Sequence, residues 1–220
     1  MRRRAGLHNL AVGAMALALG LALLLSACDR VLPTAASFKG IDITGADYAL
    51  NFDLPDASAA NAIAADASAA GTQRRRLADF KGRLVVVFFG FTQCPDVCPT
   101  TLLELAAAKK ALGADGDKVQ GVFITIDPER DTPELLRAYV GNFGAGFVAL
   151  RGNADETRAL AKHFKVFYAK APGKMPDSYT MDHTAGSYVF DSRGKVRLFT
   201  RYGTGTEALV HDLKLLLKSG

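Results

Sequence analysis

The chain has 220 residues, 49% of them hydrophobic, and carries a formal net charge of +5 at pH 7 with a sequence pI of about 9.2. Three of its arginines, Arg2 to Arg4, belong to an N-terminal leader, so removal of that leader lowers the net charge from +5 to +2. So small a charge gives no sign of nucleic-acid binding, and the length suits one globular domain.

The first 27 residues have the organisation of a bacterial export signal. The basic residues Arg2 to Arg4 precede an apolar region over residues 10–25, which is short for a permanent transmembrane helix. The segment ends in Leu25-Ser26-Ala27-Cys28, which resembles a lipobox, so that cleavage would leave Cys28 as a lipid-bearing N-terminus. The alternative is an ordinary signal peptide or signal anchor with an incidental cysteine.

The lipobox interpretation predicts where the rest of the chain is placed. Residues 28–47 become a membrane-proximal tether, and residues 48–220 form a domain at the periplasmic face of the cytoplasmic membrane. It also accounts for the odd number of cysteines, because lipidation of Cys28 leaves one pair, Cys94 and Cys98. A compartment outside the cytosol permits that pair to oxidise, so a metal-binding role would need a reductant.

The domain is predicted to begin with a short strand at residues 48–54, where apolar and polar residues alternate. Residues 57–70 are rich in Ala, Ser and Asp, with Ile63 as their one large apolar residue. We expect a surface insertion there, although an Ala-rich segment can also form a short helix. Residues 74–76 are three arginines, expected to be a solvated charge run or to touch anionic lipid.

The remaining chain alternates between strands and helices. Apolar runs predict strands at residues 84–90, 118–127 and 147–150. Helical patterns and capping signals predict helices at residues 99–112, 132–143 and 155–164. A hairpin of residues 187–191 and 196–200 and a helix over 206–217 complete the domain. This order predicts an α/β, thioredoxin-like fold, with a central mixed sheet flanked by helices and an N-terminal extension.

A Cys-x-x-x-Cys motif, Cys94-Pro95-Asp96-Val97-Cys98, follows the first of these long strands. If the segment is helical, side chains at i and i+4 face the same way, about 5–6 Å apart, and both sulfurs can reach one ion at about 2.3 Å. The adjoining helix N-terminus lowers a thiol pKa. Two thiolates with an imidazole suit copper(I), copper(II) or zinc. A reversible disulfide without metal is the alternative.

His183 is the best candidate for a third ligand. His163 and His211 lie within helical patterns and are interpreted as structural, and His8 lies in the leader. His183 instead follows a polar, turn-rich segment and precedes a strand. In a thioredoxin-like sheet the loop before that strand faces the active-site loop and usually holds a cis-proline. Here proline is lacking at that point, and His183 offers a nitrogen ligand.

Three separated motifs, in order, resemble the Sco/SenC family of copper-binding, thioredoxin-like assembly factors for cytochrome c oxidase, over about residues 48–217. They are Phe89-Gly90-Phe91-Thr92-Gln93-Cys94-Pro95-Asp96-Val97-Cys98-Pro99, Asp127-Pro128-Glu129-Arg130-Asp131-Thr132-Pro133 and Asp182-His183-Thr184-Ala185-Gly186-Ser187. The resemblance implies that Cys94, Cys98 and His183 bind one copper ion per domain, as Cu(I) or Cu(II). It also implies delivery of copper to the binuclear CuA centre of oxidase subunit II, or reduction of that subunit's cysteines.

Acidic residues near the motifs have two interpretations each. Asp127 ends a strand at the sheet edge that carries the cysteine loop, so it can orient a ligand or receive a basic patch of a partner, or only form a turn. Asp96 is expected to shape the turn between the cysteines and add negative potential, without binding metal. Asp131 is expected to form a turn or cap a helix.

The leading hypothesis is a membrane-anchored copper chaperone acting on cytochrome c oxidase subunit II. A thiol-disulfide oxidoreductase for apo-oxidase is the alternative from another class, and a redox or copper sensor is a third. Other periplasmic copper chaperones and thioredoxin-like reductants are further candidate partners. Loss of His183 separates the first two hypotheses, because a pure oxidoreductase should tolerate it better.

The lipobox makes a direct prediction about Cys28. Intact-mass analysis of the membrane-extracted protein should show a diacyl or triacyl addition at Cys28, and Cys28→Ser should lose both the addition and membrane retention. An unmodified mature N-terminus at another residue would contradict the lipid anchor.

Overall fold

The computed structural model describes residues 37–59, 73–175 and 178–219. Within them, the strands β1 to β10 are Ile41–Asp42, Asp53–Pro55, Arg74–Arg76, Leu84–Gly90, Val119–Thr125, Phe147–Leu150, Tyr168–Pro172, Tyr179–His183, Gly186–Phe190 and Val196–Arg201. The helices α1 to α4 are Val97–Ala111, Pro133–Gly141, Ala154–His163 and Thr206–Ser219, and 3-10 turns cover Leu77–Phe80 and Gly113–Lys118. In these ranges no helix combines the length and apolar character needed to cross a bilayer.

A six-stranded mixed sheet, in the order β1-β10-β9-β4-β5-β6, forms the centre of the fold. Strands β4, β5 and β6 are parallel, while β9 is antiparallel to β4 and β10 to β9. Every residue of β4 and β5 is buried, as expected for central strands covered on both faces. The predicted α/β, thioredoxin-like architecture is confirmed.

The ends of β4 and β5 meet at one edge of the sheet. Gly90, the last residue of β4, pairs with Thr125, the last residue of β5. The loop after β4 carries the cysteines and the loop after β5 carries Asp127, so both loops leave the sheet side by side. Asp127 lies two residues beyond the end of β5 and not on the strand as predicted, at the sheet edge that carries the cysteine loop.

A buried carboxylate joins these two loops. Asp131 is fully buried and accepts hydrogen bonds from the hydroxyls of Thr92 and Thr125, each at 2.6 Å, and from the Thr92 amide. Burial raises its pKa, against the effect of these hydrogen bonds. Asp131 does not cap α2; Thr132 does, because its hydroxyl accepts from the Leu135 amide. Asp131 therefore links the loops.

The folded unit begins earlier than predicted. Strand β1 lies within residues 28–47, which were expected to form a tether, yet it pairs with β10 at the edge of the main sheet. The Asp212 carboxylate of α4 is fully buried and accepts from the amides of Lys39 and Gly40 at 2.8 and 2.7 Å. The compact unit therefore starts at Phe38. A two-residue strand is too short to give a periodic pattern.

The arginines of residues 74–76 form a strand, and Arg74 and Arg76 are exposed, as expected for a solvated charge run. The strand predicted at residues 48–54 lies slightly later, as β2, and pairs with these arginines as β3. Arg74 and Arg76 bind the Asp53 carboxylate at 2.7 and 2.8 Å. The Asp53 carboxylate on the neighbouring strand thus compensates part of the positive charge of the arginines. This pairing depends on the fold and is not visible in the local sequence pattern.

The predicted insertion at residues 57–70 begins with packed residues. Ala57 is 3% exposed and donates its amide to the Ala149 carbonyl, and the Ser58 hydroxyl accepts from the Ala149 amide. Residues 57–59 therefore belong to the domain, and residues 60–70 lie outside the described part of the chain. The small side chain of Ala57 fits the core, so the low sequence complexity of this segment does not imply that its first residues are exposed to solvent.

One hairpin was not predicted. Strands β7 and β8 pair with each other as a separate two-stranded sheet, with Tyr168 opposite His183. The sequence of residues 174–182 predicts a polar turn, because apolar and polar residues do not alternate clearly there. In the structure most residues of the hairpin are only partly buried, which explains the weak pattern. His183 is therefore the last residue of a strand, and residues 184–185 connect it to β9.

The domain should tolerate replacement of residues 60–70 by a short Gly-Ser link. The Asp56 amide donates to the Gln73 carbonyl at 2.8 Å, so the chain is already closed at the base of this segment, and loop length costs only about 0.6 kcal/mol per doubling. We expect the melting temperature, measured by calorimetry, to stay within a few degrees.

Replacement of residues 57–70 is the matched comparison. It also removes the contacts of Ala57 and Ser58 with Ala149, so it should lower the melting temperature further. Equal and large losses in both variants would show that the segment beyond residue 59 stabilises the domain.

Candidate metal centre

The structure brings Cys94, Cys98 and His183 together. Their donor atoms all lie within 4.8 Å of one another. Cys94 lies in the loop after β4, Cys98 in the first turn of α1, and His183 at the end of β8. The Cys98 sulfur is 3.6 Å from His183 Nε2, and the Cys98 amide donates to the Cys94 sulfur at 3.3 Å. Residues 85 positions apart in sequence thus form one group.

Helix α1 begins at Val97, two residues before the predicted start at residue 99. Cys98 is consequently helical, and Pro99 lies in the first turn, where the missing amide proton breaks no helical hydrogen bond. Cys94 precedes the helix, so the Cys98 amide at the N-terminus is available to its sulfur. This local geometry brings the two sulfurs together without a disulfide.

A glycine allows one sulfur to approach the sheet. A Cβ atom on Gly90 would lie 2.8 Å from the Cys98 sulfur and 2.8 Å from the Phe123 ring. Both distances are too short for real contacts, and the fully buried Cys98 leaves little room to move. The glycine at the end of β4 therefore creates the space that Cys98 occupies.

The two thiols have opposite electrostatic environments. The hydrogen bond from Cys98 lowers the pKa of Cys94 to about 4, with further help from the Cys98 amide, although burial opposes the shift. Burial, followed by the hydrogen bond to Cys94 and the negative charge on that residue, raises the pKa of Cys98. In the reduced protein Cys94 is the thiolate and Cys98 the thiol. Metal binding by both sulfurs would therefore release a proton.

The imidazole of His183 is oriented for ligation. Its Nδ1 lies 3.0 Å from the Thr184 carbonyl oxygen, which can only accept, so Nδ1 carries the proton and the Nε2 lone pair faces Cys98. The ring stands edge-on to Phe88 and Phe91, with centroids 5.9 and 6.0 Å away. Two sulfurs and a neutral imidazole nitrogen among aromatic rings fit a soft or borderline metal ion.

The acidic candidates lie beside the group. Asp127 is 2% exposed and accepts a hydrogen bond from the Tyr179 hydroxyl at 2.9 Å, while its other oxygen pairs with Arg130. Its described hydrogen bonds thus hold the start of β8, and none reaches a cysteine or His183. The exposed Asp96 accepts from the Thr100 hydroxyl, which agrees with a role in shaping the turn.

Arg130 also belongs to this region, although its local sequence does not indicate a role there. Its guanidinium reaches both the cysteine loop, at Gln93, and the hairpin, at Tyr179. The one available signal was its position in the Asp127–Pro133 motif. The unpredicted hairpin supplies the second half of its contacts, so the role of Arg130 could not be derived before the fold was known.

Solved structures with similar folds include two Sco proteins. The structure of Bradyrhizobium japonicum ScoI with copper bound is 35% identical, covers 76% of this chain and 98% of that chain, and has a TM-score of 0.62. The solution structure of apo Sco1 from Thermus thermophilus is 34% identical, covers 84% of this chain and 99% of that chain, and has a TM-score of 0.67.

Sequence relatives and a family model agree with these structures. An SCO2-like protein of Rickettsia felis is 41% identical over 118 residues, which cover 53% of this chain and 58% of that protein. The chain spans less than two thirds of the length of this relative and of mouse mitochondrial SCO2 homolog. The SCO1/SenC family model matches residues 67–218, well over half of the chain, and the chain therefore belongs to the SCO1/SenC family.

Proposed function

We propose that this protein is a copper chaperone that binds one copper ion through Cys94, Cys98 and His183. The observation that carries the proposal is the convergence of two sulfurs and an imidazole nitrogen within 4.8 Å. Such donors suit copper or zinc, and copper is favoured because the similar ScoI structure contains it.

The copper ion is the cargo, and the proposed acceptor is the CuA centre of cytochrome c oxidase subunit II. This part of the proposal rests on the resemblance of the three sequence motifs to Sco/SenC proteins. Lipidation of Cys28 would hold the domain at the periplasmic face of the cytoplasmic membrane, beside an oxidase embedded there. Other copper chaperones or thioredoxin-like reductants would load or reduce the site.

The electrostatics of the thiols give an order of events for copper capture. Cys94 is the first donor, because its thiolate exists before the metal arrives. Cys98 follows and loses its proton to solvent on ligation, since the metal favours the deprotonated sulfur. The Nε2 lone pair of His183 then completes the site, while Phe88 and Phe91 shield the imidazole ring.

A thiol-disulfide oxidoreductase is the second candidate function. The observation in its favour is the pairing of a thiolate, Cys94, with a fully buried thiol, Cys98. The Cys94 thiolate would attack a partner disulfide and form a mixed disulfide. Cys98, after losing its proton, would then attack Cys94, forming the Cys94–Cys98 disulfide and releasing the partner's two thiols.

Copper titration of the reduced domain tests the three ligands. Cys94→Ser or Cys98→Ser should impair both copper(I) and copper(II) binding, because each removes a thiolate. His183→Ala should weaken copper(II) binding by about 10- to 100-fold and copper(I) binding less, since two soft thiolates satisfy a soft ion. Copper content and Cu–S charge-transfer absorption are the measurements.

His163→Ala is the matched histidine control. Its ring accepts a hydrogen bond from the Leu50 amide and lies outside the cysteine group, so copper binding should be unchanged. Oxidation of Cys94 and Cys98 to a disulfide should release the copper. Copper retained by the oxidised protein, or parental copper(II) binding by His183→Ala, would favour the oxidoreductase hypothesis.

The thiolate character of Cys94 predicts an unusual pH profile of alkylation. With its pKa lowered to about 4, Cys94 should react with iodoacetamide at a nearly constant rate from pH 8 down to about 5 and more slowly as the pH approaches its pKa. Cys98 should stay unreactive in the folded protein. Peptide mass spectrometry gives both rates, and a Cys94 midpoint near the ordinary thiol value would show that the predicted thiolate is absent.

A further inference from the structure

The hairpin that carries His183 has little backbone support. Strands β7 and β8 form a two-stranded sheet of their own and do not extend the six-stranded sheet. An isolated hairpin of this kind is marginally stable in water. The distance between the imidazole and the sulfurs therefore depends on the short connection to β9 and on the side chains that attach the hairpin to the rest of the domain.

Arg130 provides such an attachment at the start of β8. Its Nη1 donates to the Tyr179 carbonyl at 2.7 Å, and the guanidinium carbon lies 3.6 Å from the centroid of the Tyr179 ring. A guanidinium stacked on an aromatic face while bonding its backbone combines a cation–π contact with a hydrogen bond. Tyr179 and His183 are the two ends of the same five-residue strand.

The same guanidinium also holds the cysteine loop. Arg130 Nη1 donates to the Gln93 side-chain carbonyl at 3.1 Å, and Gln93 directly precedes Cys94. The guanidinium carbon lies 5.9 Å from the centroid of the Phe91 ring, and that ring is edge-on to His183. The Arg130 side chain thus contacts both the loop that carries Cys94 and the strand that carries His183.

Asp127 fixes the direction of Arg130. Its carboxylate accepts from Arg130 Nε and from the Tyr179 hydroxyl, and it is 2% exposed. The Arg130 side chain is itself only 20% exposed. A planar guanidinium can make these contacts at once, whereas the ammonium of a lysine has neither the same planar face nor the same fixed set of donors.

We propose that Arg130 is a positioning residue that holds His183 at ligand distance from the two sulfurs. The proposal rests on the proposed function of Cys94, Cys98 and His183 as a metal site. Helix α1 places Cys98, and the loop that carries Cys94 is also held by Asp131 through Thr92, so the sulfurs stay paired when Arg130 is lost. Loss of Arg130 should therefore weaken the binding of copper(II), which needs the imidazole. It should affect copper(I) much less, because the two thiolates hold that ion.

Two readouts on the intact, metal-free protein test the attachment. In reduced Arg130→Gln, amide hydrogen exchange in β7 and β8 should be about tenfold faster or more, while exchange in β4 and β5 stays parental. The nitrogen shifts of His183 in an imidazole NMR spectrum should also move toward those of a solvated ring. Unchanged exchange and unchanged shifts would overturn the proposal.

Copper alone is the probe for the positioning role. Arg130→Gln and Arg130→Lys should weaken copper(II) binding by about 10- to 100-fold, as for other residues that orient a ligand, and change copper(I) binding by no more than about threefold. In a His183→Ala background, Arg130→Gln should produce no further loss of copper(II). A full and independent loss in that background would show that Arg130 does not act through His183.

Two more variants guard against a general loss of stability. Gln93→Ala removes only the loop contact and should reproduce part of the copper(II) loss with a parental melting temperature. Arg158→Gln is the matched arginine control, because Arg158 is 70% exposed and pairs with Asp155 on its own helix, so it should leave every readout unchanged. Failure of the metal site itself is separate: it appears as parental copper(II) binding by His183→Ala, and the metal-free exchange experiment still decides the role of Arg130.

Discussion

The parallel pairing of β4 with β5 is the constraint on which the site depends. It places Gly90 opposite Thr125, so the loops after both strands begin side by side. Asp131, buried between them, then binds Thr92 and Thr125 and keeps the cysteine loop against the sheet. Because parallel strands end at the same edge of a sheet, the loops that follow them bring together residues that are far apart in sequence. The local sequence pattern of either loop does not show this contact. The antiparallel pairing of β4 with β9 completes the donor cluster, because it sets Ser187 opposite Phe88 and so brings His183, four residues before Ser187, to the same end of β4.

The long apolar strands, the principal helices and their order could be predicted from the sequence, because periodicity reports burial within one element. The convergence of Cys94, Cys98 and His183 could also be anticipated, although on motif resemblance as much as on local physics. The β7–β8 hairpin and β1 could not, since one is mostly half-buried and the other has two residues. The role of Asp131 as a link between loops depends on tertiary contacts that no spacing encodes.

The reduced cysteine pair is suited to two related chemistries. A thiolate beside a buried thiol can begin disulfide exchange, and the same thiolate can begin metal capture. His183 distinguishes the two, because an imidazole with its lone pair aimed at a sulfur adds little to disulfide exchange but adds a third ligand to a metal. Its Nδ1 contact with the Thr184 carbonyl fixes this orientation within the hairpin itself.

The hydrogen bonds that Asp212 accepts from the chain before β1 have a mechanical consequence. Its carboxylate holds the amides of Lys39 and Gly40, immediately before β1 joins the edge of the sheet at β10. A pulling force applied to the chain ahead of Phe38 would first load these hydrogen bonds, and through them α4 and the β1–β10 edge. Strands β7 and β8 belong to neither element, so the first hydrogen bonds to bear such a force lie outside the hairpin that carries His183.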